Sequence, residues 1–196
     1  MHVVEIKTGR LKLRPWRDSD QVPFAELNGD AEVMKYYPGI LSKQESNQLI
    51  NRFQSLISDR GWGFWAIEHL ESLEFLGFVG LHQPDIAYSF NPCVEIGWRL
   101  KRDAWGFGFA TEGAMASLGF AFKVLDLSEI LSFTSVHNKR SEAVMRRIGM
   151  VNTGENFAHP NLPLDSHLSE HVLYRISKHS FLEGSCNDRC PSFGKI

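Results

Sequence analysis

The sequence predicts a single mixed α/β domain, with a central β-sheet of about seven strands flanked by about four helices. Three observations lead there. Short apolar or alternating runs of strand length are interleaved with longer runs at helical spacing, in the order β-αα-βββ-α-β-α-ββ, with no internal repeat or interdomain linker. The chain has 196 residues, of which 43% are apolar, enough to bury one sizeable core. Near mid-chain, a glycine-bearing turn, Trp105 to Glu112, joins a strand-like run to a helix-like one.

Each element has its own signal. Leu11, Leu13 and Pro15 alternate with Lys12, Arg14 and Trp16, which predicts a short edge strand. Asp18-Ser19-Asp20 precedes Phe24 and Leu27 and reads as an N-cap and helix start. Ser42-x-x-Glu45 is a capping box, with Leu49, Ile50, Phe53, Leu56 and Ile57 at helical spacing behind it. Phe64–Ile67 and Phe75–Leu81 read as strands around an acidic turn, and Val94–Leu100 is the next strand. Ala110, Ala114, Met115, Leu118 and Phe122 form a helix face whose small members let the helix approach the sheet. Ile130–Val136 is a strand, and Ser141–Ile148 is a short helix with Gly149 as its C-cap. Val151–Thr153 and His171–Ile176 close the sheet. Residues 1–178 form the domain, and 179–196, rich in Gly, Ser, Asp and Pro, read as a flexible tail.

Composition excludes several functions. A net charge of −2 argues against a nucleic-acid binder with a broadly basic surface. No apolar run reaches the ~18–20 residues of a membrane span, and no secretory signal opens the chain. The three cysteines, Cys93, Cys186 and Cys190, fit a reducing cytoplasm better than a disulfide framework. The eight histidines show no ligand spacing, and Cys186-x-x-x-Cys190 has no second pair, so no metal is expected.

The mid-chain turn carries the functional signal. Glycine lets backbone approach a ligand closely, and the first N–H groups of a helix lack internal partners, so a strand–Gly turn–helix is an anion site. A GxxxxGK[ST] loop is absent. A dinucleotide fingerprint fits Gly106 and Gly108 but has Thr111 at its third small position. An acyl-CoA pyrophosphate loop and a plain helix-start turn remain.

The wider context separates these. Val94-Glu-Ile-Gly-Trp-Arg-Leu100 followed by Trp105-Gly-Phe-Gly-Phe-Ala-Thr-Glu112 resembles the GNAT N-acetyltransferases, specifically their RimJ/RimL-type branch. A second block, Asn138-Lys-Arg-Ser141-Glu-Ala-Val144 through Gly149-Met150, is similar to the helix that follows in that family. Arg10 to Pro15, Asp30 to Gly39 and Gly77 to Leu81 extend the likeness over about residues 8–176. The resemblance implies a GNAT fold, in which two central parallel strands splay apart and acyl-CoA lies between them. It implies acetyl-CoA as co-substrate, with the pantetheine arm on the backbone of Trp98 and Leu100. The pyrophosphate would lie on the amides of Trp105, Gly106, Phe107, Gly108, Phe109 and Ala110. Asn138 would contact the cofactor or fix the strand–helix junction. The family pattern has Gln or Arg three residues before Gly106. This chain has Asp103 there, so Arg102 is the candidate for the missing positive charge.

An amine acceptor must lose a proton. A lysine amine (pKa ~10.4) is about one part in a thousand neutral near pH ~7.4, an α-amino group (~7.7–8.0) about a quarter. Glu95 is the candidate base, on the strand face opposite Val94 and Ile96. Many relatives place a tyrosine, which protonates the leaving thiolate, seven residues after the asparagine. Here that residue is Met145, which leaves Ser141 as the available hydroxyl. Tyr36 and Tyr37, with the loop Asn156–Leu168, frame the acceptor in this family, and His82 is a further candidate for that side. The expected reaction is direct transfer to an amine of a protein N-terminus or small molecule, a small acyl group being favoured by Trp98 and Phe107. The different-class alternative is a non-catalytic acyl-CoA sensor. A nicotinamide oxidoreductase would need an acidic ribose ligand ending a second parallel strand, and Glu129 begins one instead. The oligomeric state is open, a homodimer included.

Overall fold

In the computed structural model, residues 4–86 and 88–185 are described. The strands are β1 (Ile6–Lys7), β2 (Leu11–Arg14), β3 (Phe64–His69), β4 (Phe75–His82), β5 (Glu95–Leu100), β6 (Glu129–Ser135), β7 (Val151–Asn152), β8 (Phe157–Ala158) and β9 (Glu170–Ser177). The α-helices are α1 (Gln21–Gly29), α2 (Lys43–Arg60), α3 (Phe109–Lys123), α4 (Lys139–Arg147) and α5 (Lys178–Ser185). They build one mixed sheet in the order β1-β2-β3-β4-β5-β6-β9-β7, with β8 also on β9. The expected order of long elements holds. The additions are β1, β8 and α5. Two-residue strands carry no readable period, and α5 packs an aromatic, Phe181, whose ring lies 5.1 Å from that of Phe122. The described chain thus continues as a helix past residue 178, and Cys186 and Cys190 lie outside the described residues.

The parting of β5 and β6 positions everything else. Each is fully paired on its far side, β5 with β4 from Gly77↔Leu100 to His82↔Glu95, and β6 with β9 from Glu129↔Ser177 to Ser135↔His171. Between them there is one parallel pair, Glu95↔Leu131. The Leu131 amide donates to Val94 O at 3.0 Å, and the next link is a side chain, Ser132 Oγ donating to Ile96 O at 2.9 Å. Beyond that hydroxyl the strands separate, leaving two open edges.

The two faces of the sheet are packed differently. On one, α3 lies close because its inner positions are small. A Cβ added at Gly113 would come within 2.9 Å of Val79 Cγ1, and Ala114, Ala116 and Ser117 are fully buried. On the other, α1 and α2 cover an aromatic layer of Trp16, Phe24, Phe53, Phe64, Phe75 and Phe78, with centroids 4.8–6.4 Å apart. The Ser42–Glu45 capping box forms as read, the Glu45 amide donating to Ser42 Oγ at 3.2 Å and the Ser42 amide to Glu45 Oε2 at 2.7 Å. No helix among the described residues is long and apolar enough to cross a membrane.

Asp20 departs from its expected capping role. It makes no side-chain cap to α1. Its carboxylate instead accepts two hydrogen bonds from the buried Arg14 guanidinium, at 2.7 and 2.8 Å, and one from the Arg17 amide at 2.8 Å. Arg14 is completed by Glu68 at 2.8 Å. Removing one partner of a buried pair strands the other charge, which costs about 3–5 kcal/mol. Asp20→Ala is therefore expected to lower unfolding stability by about 3 kcal/mol in denaturant titration. A loss under ~1 kcal/mol, the range of an exposed pair, would contradict the assignment.

Candidate active site

The open edge of β5 offers backbone. Strand alternation puts the N–H and C=O of every second residue on the same edge. Ile96 O faces β6 through Ser132, and Lys101 N faces the other way to Leu76 O. Trp98 and Leu100 therefore face the gap. Leu100 O already accepts from the Trp105 indole at 3.0 Å, so the free backbone groups are those of Trp98 and the Leu100 amide.

The glycine turn follows directly. Gly106 (φ +84°) and Gly108 (φ +82°) both occupy the left-handed region, and Gly108 is the N-cap of α3. The helix ladder starts with the Glu112 amide on Gly108 O at 3.0 Å, so the amides of Phe109, Ala110 and Thr111 precede it and are free to face a ligand. Glu112 braces the turn from behind. It accepts from Thr8 Oγ1 at 2.6 Å, from Arg10 N at 2.9 Å and from Arg10 Nε at 2.7 Å, while Arg10 NH1 reaches Phe107 O at 3.0 Å. Burial pushes the Glu112 carboxyl up, but the bonds from Thr8 and Arg10 and the Arg10 charge outweigh it and hold the group below its usual range. The last residue of the motif is thus a strut between the N-terminal strand and the loop, a role invisible in the sequence.

Glu95 stands where β5 and β6 part. Its cross-strand partner is His82, so both side chains project from one sheet face, and both line the cleft. Burial pushes the Glu95 carboxyl up to about 8. Burial, with the Arg52 charge second, lowers His82 and keeps it neutral at physiological pH. Cys93 is nearby, its thiol raised to about 11 by burial and by the Glu95 charge, and its Sγ donates to Asn91 Oδ1 at 3.2 Å.

One group was missed. The Tyr88 hydroxyl and His159 Nε2 are in hydrogen-bond contact at 3.0 Å. Around them Phe133, Phe157 and His171 pack with ring centroids 5.0–6.3 Å apart. Burial raises the Tyr88 hydroxyl, as does the Glu95 charge, and burial lowers both histidines. His159 lies in the loop read as framing the acceptor, but its partner is 71 residues away, a pairing with no local signal.

The cleft has a volume of about 1290 Å3, above the ~300–1,000 Å3 of a typical single-ligand pocket. It brings together Tyr36, Tyr37, His82, Glu95, Trp98, Leu100, Trp105, Gly106, Gly108, Phe109, Ala110, Asn138 and Ser141. The side chains of two expected residues, Phe107 and Arg102, lie outside this lining. The Phe107 side chain is exposed and stacked on Phe109. Arg102 lines a separate depression with Lys101 and Asp103, 3.9 Å from Asp30. The cation beside the glycine turn is instead Arg140, 4.5 Å over the Trp105 ring and in the cleft lining. Asn138 caps α4 through the Ser141 amide at 3.2 Å and donates to Thr134 Oγ1 at 3.0 Å, tying helix to strand. Met145 is buried. No group of three or more metal-ligating side chains occurs among the described residues.

Comparison with known proteins agrees with this geometry. A family model described as "Acetyltransferase (GNAT) domain" matches residues 10–151. The uncharacterized Bacillus subtilis (strain 168) protein YkkB is 32% identical over 147 residues, 74% of this chain and 84% of its own length. YoaA of the same strain, named an uncharacterized N-acetyltransferase, is 28% identical over 152 residues, 76% of this chain and 84% of its own. A GNAT-family acetyltransferase structure from Bacillus anthracis superposes with a TM-score of 0.75 at 24% identity, covering 90% of this chain and 99% of that one, a likeness that speaks to the fold. With the splayed strands, the glycine turn and a family match over most of its length, the chain belongs to the GNAT N-acetyltransferase family.

Proposed function

We propose that this chain is an acetyl-CoA-dependent N-acetyltransferase of the RimJ/RimL-type branch that acetylates a primary amine of a protein N-terminus or small molecule within a ternary complex. The carrying observation is Glu95, a carboxyl raised to about 8 at the mouth of the strand gap. The residues present fit the co-substrate. The Trp98 backbone suits an amide-rich arm by strand addition, and the amides of Phe109 to Thr111 suit a pyrophosphate. Helix-dipole attraction adds about 0.3–1 kcal/mol per exposed charge, an aid to those bonds rather than their replacement. When bound, acetyl-CoA supplies the activated acyl group.

The chain then has three tasks. The cleft holds amine and thioester together, which removes much of the entropic barrier. Glu95 takes the proton that the amine must shed, its raised pKa lying close to that of an α-amino group (~7.7–8.0) and well below that of a lysine (~10.4), so proton transfer is nearly balanced for the former. Ser141, beside the Asn138 cap, is the hydroxyl offered to the departing thiolate. Cys93 supports direct transfer, because a thiol raised to about 11 stays protonated at neutral pH and is a poor nucleophile.

The test is release of CoA thiol from acetyl-CoA with a panel of amines (N-terminal peptides, lysine, polyamines, amino acids), products identified by mass. Acetylated amine formed at a rate that rises with amine concentration supports the reading. Tight acetyl-CoA binding with no amine acetylated would replace it with an acyl-CoA sensor.

A further inference from the structure

On β5, residues 95, 97 and 99 point to one sheet face, the face covered by α1 and α2. Along it the strand presents a carboxyl, an apolar floor and a cation. Gly97 contributes no side chain, and the Phe64 ring lies over it, 3.3 Å from where a Cβ would stand. Glu95 and Arg99 are four residues apart, about 13 Å between Cα atoms. Both line the cleft.

Arg99 is held but not neutralised. Its NH1 donates to Asn28 Oδ1 at 2.6 Å, and the guanidinium lies 4.0 Å over the Tyr37 ring and 5.4 Å from that of Phe78. Asn28 is fully buried and itself fixed by a bond to Ser46 Oγ at 3.1 Å. Arg99 Nε is buried with no hydrogen-bond acceptor, and among the described residues no carboxylate forms an ion pair with the guanidinium. The contrast with Arg14 is direct, since two carboxylates complete that arginine. Arg52, on the same cleft wall, is paired with Asp85 at 2.8 Å. A guanidinium oriented from behind by a neutral amide and an aromatic face, with its charge uncompensated, is preorganised for an incoming planar anion.

We propose that Arg99 is a carboxylate-binding subsite of the acceptor, so that the substrate is a primary amine that also carries a carboxylate. The amine lies toward Glu95, the carboxylate meets Arg99, and the spacer crosses the Gly97–Phe64 floor. This rests on the acetyltransferase reading above and narrows its acceptor to carboxylated amines whose two groups are separated by several bonds, as in a short peptide or an extended amino acid.

The probes are ω-aminoalkanoates of increasing length against the matching ω-amino amides, each read twice: as thermal stabilisation of the CoA complex, and as turnover with acetyl-CoA. Wild type is expected to prefer one length of acid over its amide by about tenfold or more, the scale of a hydrogen bond to a charged group. Asn28→Asp installs a carboxylate on Arg99 in the ligand's place while preserving side-chain size. It should bring the acid-to-amide ratio near one, through KM rather than kcat, and Arg99→Gln should do the same. Acetyl-CoA should stabilise both variants as it does wild type. Turnover of amines with no acid preference overturns the subsite and spares the acetyltransferase reading. Acid-selective binding with no turnover does the reverse. An unchanged ratio in Asn28→Asp, or a lost acetyl-CoA shift in both variants, overturns the assignment of Arg99 to the acceptor.

Discussion

Glu95→Gln is expected to lower kcat at neutral pH by about 10²–10⁴-fold, the contribution of a positioned base, while leaving the acetyl-CoA thermal shift in place. Glutamine keeps the shape and removes the proton acceptor. In wild type kcat/KM should rise through about pH 8, where Glu95 ionises, and level off above it. The variant should lose that limb. The same shift has a stability consequence of opposite sense. Burial raises the folded-state pKa above its model value of 4.5 to about 8, so between these values the folded chain holds a proton the unfolded chain has released. Stability contributed by this group is present below 4.5, falls as pH rises toward 8 and is flat above it. Glu95→Gln should therefore raise Tm relative to wild type at pH 9 but not at pH 4, and its activity deficit should be largest at pH 9, where wild-type Glu95 is ionised. A variant with full turnover and an unchanged pH limb would remove Glu95 from the mechanism.

Gly108→Val should abolish stabilisation by acetyl-CoA. At φ +82° a Cβ would meet only Arg10 NH2, at 3.6 Å, an ordinary contact. The penalty is conformational rather than steric: a β-branched residue in the left-handed region costs about 1–3 kcal/mol. Relief requires the backbone to turn, which rotates the free amides at the start of α3 away from the strand gap. The core is untouched, so far-UV circular dichroism should remain native. A variant that is folded and still stabilised by acetyl-CoA would disprove the loop's role. Gly106→Ala makes a milder companion, since nothing lies within 4 Å of its Cβ position.

The strand gap and the glycine turn were legible because their signals are local. Strand, glycine turn and helix lie within residues 94–123, and each contributes through backbone geometry that short patterns encode. The alternation that put Glu95 on the cleft face follows from a period of two, whereas the Trp98 backbone was implied by the family resemblance. The acceptor half depends on contacts between distant segments. Tyr88–His159 and Arg99–Asn28 each join residues 71 apart, and neither pair has a spacing to recognise. Arg102 was the nearest basic residue to the turn in sequence, yet the chain folds it toward Asp30 and brings Arg140 in from α4. Asp20 precedes a helix as a cap would, but a buried arginine claims its oxygens first.

The most direct test of the account is thermal unfolding with acetyl-CoA, CoA and NADH in parallel. A ligand at a hundred times its dissociation constant stabilises by about 2.7 kcal/mol, which for a domain of this size is a rise of about 5–10 °C. That rise is expected with acetyl-CoA and with CoA, and none with NADH. No shift with either CoA species, at concentrations that saturate other acyl-CoA sites, would mean that the turn at Gly106–Gly108 grips no pyrophosphate, and the proposed reaction would fall with it.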